Sequence, residues 1–117
     1  MTAEDLINEP TVQRWLRSAK LDTAPREEQL AQVEPLARFC ARRGQSPQQL
    51  VDSCFLEKTA DGQYQISIKG RREMDAAIEE FTATLGLPRH YAIATGNIIR
   101  GFLVHNGVLI QSRPSIP

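Results

Sequence analysis

Apolar residues in the first third of the chain recur every three to four positions, and each run is bounded by a recognisable stop. Val12, Trp15, Leu16 and Ala19 fall at i, i+3, i+4 and i+7, which predicts an amphipathic helix over 11–19 with Trp15 as a core anchor. Ahead of it, Thr2 with Glu4 and Asp5 reads as a capped short helix, interrupted by Glu9-Pro10. Lys20 to Ala24 is a polar connector, and Pro25 suits the first position of a third helix. That helix carries Leu30, Val33, Leu36, Ala37 and Cys40 inward and stops at Gly44, with Pro35 expected to kink or split it. Ser46-Pro47-Gln48-Gln49 starts a fourth helix that turns Leu50, Val51, Cys54 and Phe55 inward.

The second half opens on a change of period. Tyr64, Ile66 and Ile68 alternate with polar residues after the turn signal Thr59-Ala60-Asp61-Gly62, so a short hairpin near 59–68 and a draped loop both fit. From about Gly70 to Leu85 the helical pattern is the strongest in the chain: Met74, Ala77, Ile78, Phe81 and Leu85 lie on one side. Gly86 ends it, Pro88 opens a last helix, and Asn106-Gly107 closes that helix at His105. Val108-Leu109-Ile110 is apolar and expected to dock back. The expected fold is an all-α compact bundle of four to five short helices. Residues 1–9 form an N-terminal extension, 10–110 the helical domain, and 111–117 a linker.

Composition narrows this little. A chain of 117 residues makes one domain and can bury a core without staples. No apolar run approaches the ~20 residues of a membrane span. The acidic start Met1-Thr2-Ala3-Glu4-Asp5 is unlike a secretory signal, and Cys40 and Cys54 sit in helical patterns, which together predict a cytoplasmic protein with reduced thiols. No Cys/His spacing suits zinc, so neither metal nor cofactor is expected. His90 and His105 lie about 22 Å apart on one helix at about 1.5 Å per residue, too far to share an ion. Phosphate loops, metalloprotease motifs and nucleophile elbows are absent, so the chain itself is not expected to be an enzyme.

Charge changes the picture more. Fourteen Lys and Arg against fourteen Asp and Glu argue at first against nucleic acid. The balance is uneven, however. Residues 10–45 hold seven bases against four acids, residues 46–87 hold four against seven, and residues 88–117 hold Arg89, Arg100 and Arg113 with no acid. Local potential, not the total, decides what a charged partner meets. On the last helix, Tyr91, Thr95, Ile98 and Phe102 form the expected core side at 100° per residue. The other side carries Arg89, Ile93, Gly96, Asn97, Arg100 and Val104. Two guanidiniums, an amide able to read adenine and a glycine permitting close approach suit duplex DNA.

The chain also resembles a known family. Val12-Gln13-Arg14-Trp15-Leu16 is similar to an "x-V-x-x-W-L" opening helix, Leu36-Ala37-Arg38-Phe39 to an "L-x-x-F" helix, and Gly44-Gln45-Ser46-Pro47-Gln48-Gln49-Leu50 to a "G-x-x-P-x-x-L" turn. Ile98-Ile99-Arg100-Gly101-Phe102 through Asn106-Gly107-Val108 looks like the ending "a-I-R-x-F-y-x-x-N-G-i". These motifs belong to the N-terminal SAM-like, core-binding domain of phage integrases, the tyrosine recombinases, and cover about residues 10–110. The resemblance implies a module that clamps one side of double-stranded DNA. Strand transfer would then fall to a C-terminal catalytic domain of the same longer protein, and self-association would occur on DNA. The candidate DNA-binding residues are Lys20, Thr23 and Arg26 near the second helix, with Arg89, Asn97 and Arg100 on the last. The competing reading is a protein-interaction module that docks a partner through exposed Ile93, Val104 and Val108.

Overall fold

In the computed structural model, which describes residues 1–55 and 66–114, the chain is all-α, with six helices among those residues. The helices are α1 (Ala3–Leu6), α2 (Pro10–Ser18), α3 (Arg26–Arg43), α4 (Pro47–Asp52), α5 (Ile68–Ala83) and α6 (Arg89–Val104). Three of them start on a side-chain cap that satisfies early N–H groups. Thr2 and Asp5 form a reciprocal capping box on α1, and Ser46 and Gln49 do the same on α4. The Thr2 N–H donated to Asp5 holds that carboxyl below its ordinary range. Ser67 caps α5 by accepting from the Gly70 N–H at 2.9 Å, so this helix begins at Ile68, two residues earlier than its periodicity indicates.

Three stops share one geometry. After α3, Gly44 takes a φ of 64° and the Gln45 N–H reaches back to the Cys40 carbonyl at 3.1 Å. After α6, Gly107 at φ 90° lets the Val108 N–H reach Leu103 at 3.0 Å. After α2 the same left-handed seat is held by Lys20 at φ 61°, with the Leu21 N–H on the Leu16 carbonyl at 2.7 Å. A lysine there bears the Cβ clash that glycine avoids.

Helix α3 is the hub, packing against α1, α4, α5 and α6. It runs unbroken through Pro35 rather than splitting. The intrahelical bond that Pro35 forgoes would fall on the carbonyl of Ala31, an exposed residue, where water can replace it. Val33, Leu36, Ala37, Phe39 and Cys40 all face the core. Trp15 is buried and meets Phe102 edge to face at 5.6 Å, and Phe39 meets Phe81 at 5.4 Å. Burial pushes the Cys40 thiol up to about 12 and raises Cys54 in the same direction; both thiols are free.

Among the described residues there is no regular strand, only an antiparallel bridge between Phe55 and Ile66. The turn and first half of the candidate hairpin near 59–68 lie outside them. Beyond α6, Val108 is buried and Ile110 packs on the core, as expected. The next residues are also docked: Asn97 and the backbone of Arg113 exchange two hydrogen bonds of 2.9 Å, so the segment expected to be linker is tied down as far as Arg113.

These stops and thiols lead to three expected effects on stability. No atom lies within 4 Å of a Cβ built on Gly44, so Gly44→Ala carries only backbone strain and lowers stability by about 1 kcal/mol. Lys20→Gly relieves the same strain and raises stability by about 0.5 kcal/mol, read from urea midpoints. The unfolded chain ionises its thiols more readily than the native protein, so stability is intact below pH 9 and falls between pH 9 and 12. The Cys40 contribution approaches about 1.4 kcal/mol per pH unit and disappears in Cys40→Ala.

Candidate nucleic-acid interface

The last helix is rotated relative to the sequence expectation. Its buried side carries Gly96, Ile99, Arg100, Phe102 and Leu103, while Tyr91 is 57% exposed. Arg100, expected to face DNA, is 1% exposed. A guanidinium can be buried only if its N–H groups and charge are matched. Here Nε donates to Asp75 at 2.8 Å, Nη2 to Glu79 at 2.9 Å and Nη1 to Asn97 at 3.1 Å. Both acids lie one turn apart on α5, so the residue that gave the last helix its basic look instead bolts it to its neighbour.

Two more expected contacts are absorbed by this bolt. A Cβ on Gly96 would sit 2.9 Å from the Arg100 guanidinium and 3.3 Å from Ile78, so the glycine admits α5 and Arg100, not a duplex. Asn97 accepts from Arg100 and spends the rest of its paired amide geometry on the Arg113 peptide, the two-bond pattern that reading adenine would need. Glu79 also pairs with Arg113.

Arg89 is exposed, at the start of α6, beside a hollow of about 180 Å³ lined in part by Glu79, Thr82 and Ile93. Lys20, Thr23 and Arg26 are exposed as expected. They do not share a face with Arg89. Ser18 Oγ and His105 Nδ1 share a hydrogen bond of 2.6 Å, and Arg14 donates to Asn106 at 3.3 Å, which fixes α2 at the far end of α6. Gln29 donates to the Leu21 and Asp22 carbonyls at 2.9 and 3.1 Å, which brings the start of α3 to that end. Arg89 lies about 24 Å away, the length of a sixteen-residue helix at about 1.5 Å per residue. The expected continuous face of Arg26, Arg89 and Arg100 is therefore not assembled.

A different basic surface is. Arg14 and Arg17 lie on the exposed side of α2, opposite Val12, Trp15 and Leu16, and exposed Lys20 follows just past its end. No acid occurs between Pro10 and Lys20, and among the described residues none of the three forms a salt bridge. Arg14 and Arg17 were missing from the expected site, although the buried stripe of α2 already implied that they point outward. Asp52, bonded to Gln48, lines the hollow beside Arg14 and bounds this surface on the α4 side.

The apolar patch of the competing reading does not form either. Val108 is 2% exposed and Ile93 is partly buried, which leaves Val104 alone as an exposed member. Among the described residues, no group of His, Cys, Asp and Glu could hold a metal ion, and no helix is long and apolar enough to cross a membrane. No family model, curated protein or solved structure matches the chain.

Because Arg100 is buried among partners, its loss acts on folding. Arg100→Ala lowers stability by about 2–3 kcal/mol, less than a fully buried pair because Asp75 and Glu79 are 40% exposed and rehydrate. Chemical denaturation measures this, and Arg89→Ala, at an exposed site, stays within about 0.5 kcal/mol of the unaltered protein.

Proposed function

We propose that the chain is a DNA-binding module that holds the phosphate backbone of a duplex through the exposed face of α2. In the recombinase reading it positions a recombination-site duplex for a separate C-terminal catalytic domain. One observation carries this: exposed Arg14, Arg17 and Lys20 come from a stretch of chain without an acid and form no salt bridge among the described residues, with exposed Thr23 and Arg26 following beyond Asp22 and ahead of Glu27 and Glu28. Arginine forks and a lysine point charge are the groups that phosphate oxygens select. From Arg14 to Arg17 the row advances about 4.5 Å at about 1.5 Å per residue, and Lys20 extends it past the helix end. A duplex places one charge per about 1.7 Å of axis, so several phosphates come within reach.

Such contacts position a duplex without reading its sequence, since phosphate bonds carry no base information directly. Arg89, on the far end, belongs to a different contact or to none. The docked tail supports the clamp reading mechanically. Asn97 and Glu79 hold Arg113, so a domain attached after the tail leaves from a fixed point on the α5–α6 pair.

The test is a salt titration. Duplex affinity falls as salt rises from about 50 to 200 mM, and Arg14→Gln/Arg17→Gln makes the log–log slope shallower by about two units. Fluorescence anisotropy on a labelled duplex reads both. Absence of salt-dependent binding by the unaltered protein, or an unchanged slope in the double variant, removes the proposal.

A further inference from the structure

A second cationic feature lies outside the α2 row. Between the first two turns of α5 and the tail runs a groove of about 460 Å³, lined in part by Ile68, Arg71, Arg72, Leu109, Gln111 and Ser112. The other charges beside it are already matched: Asp75 belongs to Arg100 and Arg113 to Glu79. Arg71 and Arg72 are left over. Arg72 is exposed and, among the described residues, has neither an ion pair nor a hydrogen bond. Among the same residues Arg71 makes one hydrogen bond, Nη1 to the Leu109 carbonyl at 2.5 Å, and its buried Nε–H has no acceptor.

That orphaned donor is the unusual part. A buried N–H without a partner loses its hydration with nothing in return, and most native structures avoid it. The local charge adds to the cost. Lys69, Arg71 and Arg72 stand near the start of α5, at the positive end of its dipole, and its first turn holds no acid. Of the three, only Lys69 forms an ion pair among the described residues, with Glu73 in the second turn at 3.8 Å. A small turn of the Arg71 guanidinium into the groove would pair its Nε–H with an incoming oxyanion.

We propose that this groove binds a phosphate group, with Arg71 and Arg72 as its two clamps and Arg71 Nε–H as the donor that binding satisfies. A planar guanidinium offers parallel N–H groups to a tetrahedral oxyanion, and two of them neutralise its charge. The phosphate comes either from a duplex backbone or from a free phosphate. The site does not depend on the α2 row, although Arg71's contact with Leu109 places it at the same end of α6.

Arginine Nε–H resonances of the whole chain are followed by NMR in two titrations, one with inorganic phosphate and one with a short duplex. The expected result is a saturable shift of the Arg71 Nε–H in at least one arm. Arg72→Gln, which removes a side chain without partners and keeps the same melting temperature, weakens that response several-fold. A response to both arms assigns the site to duplex phosphates. A response to inorganic phosphate alone assigns it to a free phosphate, and holds even if the duplex proposal fails. An Arg71 Nε–H that moves in neither arm overturns the site, and leaves duplex binding by α2 untouched. A response unchanged in Arg72→Gln also overturns the two-arginine clamp.

Discussion

The burial of one guanidinium organises this protein. Arg100 stands in the middle of the last helix with almost no exposure, and the cost of removing its charge from water obliges every neighbour to compensate. Asp75 and Glu79 bring α5 alongside, Asn97 closes the third side, and Gly96 makes room for the guanidinium. Glu79 and Asn97 then reach past Arg100 to Arg113, so the same network ties down the chain after α6. A hydrophobic substitute would fill the space, but it would specify neither the register of α5 on α6 nor the path of the tail.

This network also redistributes charge. The acid-rich middle segment and the acid-free last segment cancel each other inside the fold, because Asp75 and Glu79 take Arg100 and Arg113. Other cations keep no ion pair among the described residues: Arg14 and Arg17 on α2, Lys20 just past its end, Arg26 and Arg43 at the two ends of α3, Arg71 and Arg72 at the start of α5, and Arg89 at the start of α6. Hydrogen bonds from Ser18, Arg14 and Arg71 to the end of α6 and to the residues just beyond it bring the α2 and α5 members of this set to one end of the bundle, while Arg43 and Arg89 lie elsewhere. A zero net charge is thus compatible with a cationic working end, since opposite charges are spent in pairs elsewhere.

The end of α2 shows a smaller conflict between local preference and its occupant. Glycine holds the left-handed stop of α3 and of the α6 ending, whereas Lys20 holds it after α2. The fold gains nothing from lysine there that glycine would not supply with less strain. Its ammonium continues the cationic row of α2, which is consistent with that row carrying the contact.

The helices were legible because their signals are local. Capping residues, apolar spacing and stop glycines act within a few positions, so α1 to α6 lie close to where periodicity puts them. Trp15 and the core faces of α2 to α5 followed from the same spacing, and the exposed Arg14 and Arg17 were implicit in it. The face of α6 was not legible. Its pattern mixes apolar and polar residues nearly all round, and an arginine reads as exposed until two carboxylates three to four residues apart on another helix are brought to it. The sequence by itself determined an all-α chain, its helix limits and most of its core, since these depend on neighbours in the chain. Only the tertiary structure decided that Arg100 and Asn97 are internal, that Arg89 lies apart, and that the α2 and α5 arginines come to the same end of α6. Those outcomes depend on which distant charges meet, and desolvation makes each such meeting all or nothing.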